Sequence, residues 1–535
     1  MVSLEIDGKQ ITAKEGQTII EVASENGIEI PHFCYHPGLP ISGNCRMCLV
    51  EIENNPKLQI ACATPVREDM KVFTESEQVI TTRKGILEFL LINHPVDCPI
   101  CDQAGECSLQ NYYQKYGLYE SRFQEEKVHK GKVIKLGSGV VLDQERCVLC
   151  TRCVRVMRDI AADEQLGIFN RGDHAEIGTL TGEPLNSPYA GNVVDTCPVG
   201  ALTSQDFRFQ CRVWFLTTMP SICPVCATGC NIDIYCKDNK IYRLRPRENS
   251  AVNQHWMCDI GRYHFKKLLS EDRILTPLKR VEAGLETTAY DTVITEISQQ
   301  LSGILQEHGS KAVGFMASPK LTNEDAFILV KYAKDFLDIN NFDCTYKPEE
   351  APFSDNILIK EDRNPNTHGC RDMGLLPRHG GMRIKDMLAA ARRGTLQALV
   401  IFDLDLFDKP SQEMGIINAL ETVNLVVLVQ THRTRMLDYA QYVLPTVMWA
   451  EQEGTFTNFD SRVQRFKKAV DPPEGVKSIS GILFDLAAKM GYDLPFQKPH
   501  GIFEDIAATI PAYKNISYAA LGETGQKTWS TKKGI

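Results

Sequence analysis

The sequence predicts a multidomain protein of α+β and α/β class, and three observations carry that reading. Residues 1 to about 80 alternate short strand patterns with one short helix around a cysteine loop. Beyond residue 270 or so, strand patterns alternate with helical patterns of about 10–15 residues, the signature of βαβ units and a mostly parallel sheet. Between them, from Cys34 to Cys258, lie all but two of the 19 cysteines. The length of 535 residues is enough for three or four domains.

In the first segment, SLEIDGKQITA is a hairpin pattern with Asp7-Gly8 at the turn, and Thr18 opens a short amphipathic helix that Gly27 stops. A loop then carries Cys34, Cys45 and Cys48 into a strand, and Cys62 follows the strand pattern LQIAC. The spacing is C-x10-C-x2-C-x13-C. A zinc ribbon prefers two close CxxC knuckles, and this group has one.

A helix pattern, TTRKGILEFLLINHP, follows and carries His94 at its end, before Cys98, Cys101 and Cys107. Only three cysteines occur here, so a fourth ligand is missing unless His94 supplies it. The other reading of His94 is a cap or a packed core residue. Residues 111–135 are rich in Tyr, Lys and Glu and read as a solvated connection. Cys147, Cys150, Cys153 and Cys197 read C-x2-C-x2-C-x43-C-P, with Pro198 turning the chain away. Arg152 and Arg155 flank this motif; they either offset the charge of a metal site or face solvent. Cys223, Cys226, Cys230 and Cys258 form a fourth set, C-x2-C-x3-C-x27-C, around a strand hairpin. Cys236 reads as a core residue, and Cys211, Cys344 and Cys370 as structural free thiols.

The remainder reads as strand KAVGFMAS, helix NEDAFILVKYAKDFL, helix IKDMLAAARRGTL, strand QALVIFDLDLF, helix GIINALETV and strand NLVVLVQ. Residues 345–385 read as a long loop or insertion. Residues 451–462 read as a turn leading into a strand, and the tail after about 515 as polar and loosely held. No GxGxxG follows a strand, so no dinucleotide site is expected on this chain.

Composition narrows the function classes. A net charge of −9 argues against nucleic acid. No run of about 18 apolar residues predicts a transmembrane helix, and the opening MVSLEIDGKQ has no signal-peptide pattern. The expectation is a cytosolic chain that reaches a membrane only through partners. Many thiols without a secretion signal point to metal or redox chemistry rather than disulfides.

The motifs also carry resemblances. The first segment resembles a plant-type [2Fe–2S] ferredoxin, a β-grasp domain, with a longer first gap than the usual C-x4-C-x2-C. The third group resembles half of a bacterial two-cluster ferredoxin, closed by Cys197. Taken together, GNCRMC, HPVDCPICDQAGEC, CVLCTRCVR, DTCPVGAL and RPRENSAVNQHWMCDIGRY resemble the family of the large iron–sulfur subunit (the G subunit) of NADH-quinone oxidoreductase, respiratory complex I. AQYVLPTVMWAEQEGTFTNFDSRVQ is similar to that family's molybdopterin-oxidoreductase-like region. The resemblance is dense over about the first 270 residues and thin beyond.

It implies five domains. They are a [2Fe–2S] ferredoxin domain over 1–80, a [4Fe–4S] domain with one histidine and three cysteine ligands over 81–125, and a ferredoxin-like [4Fe–4S] domain over 140–215. A four-cysteine [4Fe–4S] domain over 216–272 and an α/β region over 273–535 follow. The implied ligands are Cys34, Cys45, Cys48 and Cys62 for the two-iron cluster. Those for the three four-iron clusters are His94, Cys98, Cys101 and Cys107; Cys147, Cys150, Cys153 and Cys197; and Cys223, Cys226, Cys230 and Cys258. It implies electron relay without bond-making on this chain: entry at the His94 cluster, transfer to the Cys147 cluster, parallel exchange with the Cys34 cluster, and the Cys223 cluster off the main path. The implied partners are an FMN-containing NADH-oxidising subunit, a thioredoxin-like [2Fe–2S] subunit and a two-cluster ferredoxin-like subunit leading to the quinone arm. The implied location is the cytoplasmic side of the inner membrane.

The sequence departs from the family in a short C-terminal region, in Asp460-Ser461 at an acidic-glycine position, and in lacking a molybdenum-ligand cysteine after Cys258. The α/β region is therefore expected to act as scaffold without molybdopterin. Two other readings stand beside this one: a relay subunit of a soluble NAD-linked hydrogenase or formate dehydrogenase complex, and a zinc-binding scaffold.

Overall fold

The Asp7-Gly8 pair sits at φ 49° and 81°. These are the left-handed values that a two-residue hairpin turn requires, and they close the strands Val2–Ile6 and Lys9–Ala13. Those strands belong to a five-stranded sheet with Leu49–Ile52, Gln59–Ile60 and Met70–Phe73. The helix Ile19–Glu25 covers it, starting at Thr18, whose backbone N–H donates to the Glu21 carboxylate at 2.7 Å. The computed structural model describes residues 1–118, 120–137, 139–180, 182–345, 351–377, 380–408 and 410–529. The chain divides into two compact units, Met1–Leu216 and Thr217–Ile535.

In the first unit the helix Glu77–Leu91 begins a turn earlier than the sequence pattern indicates, because the Ser76 hydroxyl accepts the Val79 N–H. Its Arg83 is fully buried and donates to the Tyr116 hydroxyl at 3.1 Å and to the Leu49 carbonyl at 3.4 Å. The expected solvated connection over 111–135 is corrected in its first part. Ser108–Tyr116 is a helix that buries Leu109, Tyr112 and Tyr116. Those three recur at three- and four-residue steps, so the tyrosines form an apolar stripe that overall polarity conceals.

The second unit opens with a three-stranded sheet, Thr217–Ile222, Asn231–Lys237 and Lys240–Pro246. Its larger sheet runs, edge to edge, Gly284–Thr287, Leu278–Val281, Tyr442–Pro445, Leu425–Gln430, Ala398–Phe402, Val313–Ala317 and Phe342–Asp343. The last five strands are parallel, and the first two add antiparallel. The three central strands Val313–Ala317, Ala398–Phe402 and Leu425–Gln430 are buried along their whole length, as helices on both faces require. Cys344 and Cys370 are both buried in the larger core of this unit, and Cys236 is buried in the strand Asn231–Lys237.

Residues 454–466 form a hairpin, Gly454–Thr457 with Arg462–Phe466, and Asp460-Ser461 lies in its turn. The expectation of a loosely held tail is corrected as far as residue 529. Ile516, Tyr518 and Leu521 enter the main core, and Gln526–Lys527 pairs with Arg462-Val463. The tail's polar average hid three buried apolar side chains. Residues 530–535 lie outside the described residues. Leu521 is 1% exposed, so Leu521→Ala is expected to cost about 2–5 kcal/mol, read as a lower melting temperature of the second unit. No helix among the described residues is long and apolar enough to cross a membrane.

Candidate metal centres

The first three cysteine groups meet in one place. A buried apolar cluster of the first unit contains Cys34, Phe33 and Met47 from the first loop, and Cys107 from the second. Cys150, Val199 and Ala201 of the third join it, with Cys45, Cys147 and Cys197 packed against it. Segments far apart in sequence thus enclose their thiols in a common dry environment.

Within the first group, Cys34 is hydrogen-bonded to Cys45 and Cys62 to Cys48. In each pair one thiol is driven toward thiolate by its partner, Cys34 down to about 5, and the other is pushed up. The Phe33 N–H also points at the Cys45 sulfur at 3.5 Å.

Around the second group, His94, Cys98, Cys101 and Cys107 line one cavity of about 520 Å³. Burial first, then the nearby Arg146, holds the His94 imidazole down to about 4, so it is neutral at pH 7. One ring nitrogen faces the Arg146 backbone carbonyl, while the buried Nδ1 has no partner among the described residues. A metal-binding histidine has this form, with one nitrogen donating to a backbone oxygen and the other free. Arg146 is itself buried, with Nη2 on the Asp97 carboxylate at 2.7 Å and Nη1 on Asp143. The segment 209–215 folds over this loop: Phe209 N–H donates to Asp102 at 2.8 Å and Arg212 to the Cys101 carbonyl at 2.6 Å. Cys211, half-buried in that segment, is not among the residues lining the cavity.

All four cysteines of the third group line a single small cavity. Burial pushes Cys197 up to about 12, Cys147 to about 11 and Cys153 well above the usual thiol range. Thiols held this way ionise only with a positive charge beside them, which a metal centre supplies. Gly200 abuts the second group: a Cβ there would collide with the Cys101 sulfur.

Arg152 and Arg155 are buried, at 9% and 5% exposure, so the solvent-facing reading is corrected. Arg155 donates to the carbonyls of Cys34 at 2.5 Å, Pro40 at 2.6 Å and Cys150 at 3.2 Å, and to the Thr151 hydroxyl at 3.2 Å. Arg152 donates to the Thr196 carbonyl at 3.1 Å and to that of Tyr35. Long polar side chains next to cysteines look solvated in a sequence; here the first loop folds over them.

In the second unit, Cys223, Cys226, Cys230 and Cys258 are all buried and lie within one another's electrostatic reach. Burial pushes Cys223 and Cys230 well above the usual range and Cys258 to about 11. Gly261 supplies the clearance: a Cβ there would lie 2.7 Å from the Cys223 sulfur. Gly261→Ala is therefore expected to lower iron content and weaken the fourth group's spectroscopic signal, while Gly303→Ala, in open space on a helix, leaves both unchanged.

Among the described residues, no three His, Cys, Asp or Glu side chains converge on the position of one bare ion. The second and third groups each line a cavity instead. The glycines, Arg146, Arg152 and Arg155 are the functional neighbours that sequence reasoning passed over or left open. DTCPVG and CDIGR contain the glycines, but their role depends on contacts that spacing does not reveal.

Sequence models of known families match the chain in order. They are a 2Fe-2S iron-sulfur cluster binding domain over residues 1–77, the NADH-ubiquinone oxidoreductase-G iron-sulfur binding region over 83–122 and the ferredoxin-like domain of NADH-quinone oxidoreductase subunit 3 over 137–203. A molybdopterin oxidoreductase Fe4S4 domain matches 216–270 and a molybdopterin oxidoreductase domain 366–489. The chain thus carries iron–sulfur binding domains of both two-iron and four-iron type. It is 38% identical over 359 residues to the G subunit of NADH-quinone oxidoreductase from Streptomyces coelicolor, covering 66% of this chain and 42% of that protein. It is 41% identical over 332 residues to the NADH-ubiquinone oxidoreductase 75 kDa subunit of Reclinomonas americana, covering 62% and 47%. It is 38% identical over 344 residues to the NADPH-Fe(3+) oxidoreductase subunit alpha of Geobacter sulfurreducens, covering 64% and 40%. The chain spans about half the length of the curated relatives it matches. Over 62–66% of its own length the chain is thus similar to the G and 75 kDa subunits of NADH-quinone and NADH-ubiquinone oxidoreductases, and the domain models match it in one ordered series.

Proposed function

We propose that this chain is an iron–sulfur electron-relay subunit of an NADH-quinone oxidoreductase of complex I type. The observation that carries the reading is the common apolar core in which Cys34, Cys107 and Cys150, one from each of three groups, are buried together. When bound, iron–sulfur clusters supply one-electron carriers whose potentials follow ligand identity, hydrogen bonds to sulfur and burial.

The chain's own residues set those three variables. Cys34, Cys45, Cys48 and Cys62 hold a [2Fe–2S] cluster. His94 with Cys98, Cys101 and Cys107, the Cys147 group with Cys197, and the Cys223 group with Cys258 each hold a [4Fe–4S] cluster. His94 contributes a neutral ligand where the other groups contribute a thiolate. The backbone N–H of Leu149, 3.4 Å from the Cys147 sulfur, stabilises added negative charge there. Phe33, Leu87, Leu109 and Tyr112 exclude water from the space between groups.

In this reading electrons arrive from an FMN-containing, NADH-oxidising partner and leave to a two-cluster ferredoxin-like subunit, with a thioredoxin-like [2Fe–2S] subunit in the same assembly. The chain performs no substrate chemistry and meets the cytoplasmic face of the inner membrane through partners. Its α/β region acts as scaffold.

Anaerobic purification tests this. A brown protein with about 14 iron atoms per chain is expected, from one two-iron and three four-iron clusters. Stoichiometric zinc without reduced-state paramagnetic signals overturns it. A second reading, a relay subunit of a soluble NAD(P)H-linked complex, is favoured by the similarity to the Geobacter sulfurreducens protein. Copurifying subunits separate the two: membrane and quinone-site chains support complex I, and their absence beside a soluble catalytic chain supports the second.

A further inference from the structure

The geometry points to a binding site for a small tetrahedral oxyanion, phosphate or a phosphoryl group, at the carboxyl ends of the parallel strands in the second unit. In an open α/β sheet the crevice beyond those ends, where strand order reverses, is the place where ligands bind. Here the order reverses between Val313–Ala317 and Ala398–Phe402, because the chain goes from the first of these to Phe342–Asp343 on one side and then returns to the other.

A cavity of about 110 Å³ lies there. Each of four neighbouring strands sends a following residue into its wall: Lys320, Asp403, His432 and Trp449. Lys267 and His264 face it as well. That volume is a few-fold below the ~300–1,000 Å³ of cavities that take drug-sized organic ligands. It suits an anion of about five heavy atoms.

The donors are of the right kind. Lys267 and Lys320 are exposed and form no ion pair within 4 Å among the described residues, though the field of Lys267 also reaches the Asp272 carboxylate. Trp449 is 6% exposed, and its indole Nε1–H has no acceptor among the described residues. Its ring packs against His264 at 5.4 Å. Burial first, then Lys267, Lys320 and His432, holds the His264 imidazole down to about 3, so it is a neutral donor or acceptor at pH 7. His432 is already committed, to the Thr431 hydroxyl and the Lys267 carbonyl, both at 2.9 Å. Two carboxylates also line the cavity, and both are engaged. Asp325 accepts from the Ser480 N–H at 2.9 Å, and burial pushes its carboxyl up. Asp403 accepts from the Thr431 hydroxyl at 2.9 Å. Point-charge lysines without an arginine fork suit a tetrahedral anion better than a planar carboxylate.

Calorimetric titration of the full chain, purified anaerobically, with inorganic phosphate at constant ionic strength tests the assignment. One phosphate per chain is expected, with affinity roughly tenfold lower in each of Lys267→Ala and Lys320→Ala, as for one lost charge-assisted contact. Lys489→Ala, whose ammonium pairs with Asp291, should bind as the parent does. Phosphate should also change tryptophan emission in the parent and not in Trp449→Phe. Competition by AMP against phosphate would identify a phosphoryl ester as the source; competition by sulfate alone, a free oxyanion. The assignment is overturned if neither phosphate nor sulfate gives saturable binding, if the Lys267→Ala/Lys320→Ala double variant binds unchanged, or if AMP binds where inorganic phosphate does not.

Discussion

Replacing His94 by alanine is expected to remove one four-iron cluster, so that iron falls by about four atoms per chain. The imidazole is held neutral by burial, its buried Nδ1 has no partner among the described residues, and it lines one cavity with Cys98, Cys101 and Cys107. Alanine leaves three thiols facing that cavity and nothing to complete a fourth ligand. His94→Cys supplies a ligand but adds a negative charge, which favours the oxidised cluster. Iron should then be retained and that cluster's midpoint potential should fall, on the order of 100 mV, by the reasoning that separates histidine-ligated from all-cysteine centres. Iron analysis and a potentiometric titration followed by paramagnetic resonance check both variants. An alanine variant with the parent's iron, signal and potential would remove His94 from the ligand set.

The second large effect is expected at Arg155. Its guanidinium is buried, its hydrogen-bond acceptors are all neutral oxygens, and it joins the carbonyls of Cys34 and Cys150, which belong to different groups. A buried cation with no carboxylate among its hydrogen-bond partners is costly unless negative charge lies nearby, and Cys150, then Cys34, then the Asp159 carboxylate are the groups whose negative charge reaches it. Arg155→Met removes the charge and leaves buried carbonyls without donors. The first unit should lose about 2–4 kcal/mol of stability, and the potentials of the Cys34 and Cys147 centres should fall together, since a lost positive charge disfavours the reduced form of each. Arg155→Lys keeps the charge and fewer of the bonds. It should restore the potentials more fully than the stability. If methionine lowered stability and left both potentials in place, Arg155 would be a strap only.

The four cysteine groups, the hairpin at Asp7-Gly8 and the βαβ alternation were legible because each is a local pattern: a spacing, a turn dipeptide, a period. What stayed hidden depends on contacts between distant segments. Arg152 and Arg155 are buried only because the loop carrying Tyr35 and Pro40 covers them. The helix Ser108–Tyr116 was obscured because tyrosine counts as polar in composition and apolar in packing. Gly200 and Gly261 carry no sign of the sulfur beside them, and the tail's polar composition conceals the burial of Leu521. Single-residue burial is a tertiary property, and local propensity yields to it.

The shared core of the first unit also bears on how the protein is made. Its members run from Phe33 to Ala201, so during synthesis the cluster cannot close until the ribosome has released the last of them. Until then the thiols of the first three groups are reachable by whatever delivers iron and sulfide. Once Val199 and Ala201 dock, Cys34, Cys107 and Cys150 are buried in one cluster. In the proposed reading, the three sites therefore share one closing event, the docking of the segment around Cys197, whatever the order in which the loops emerge.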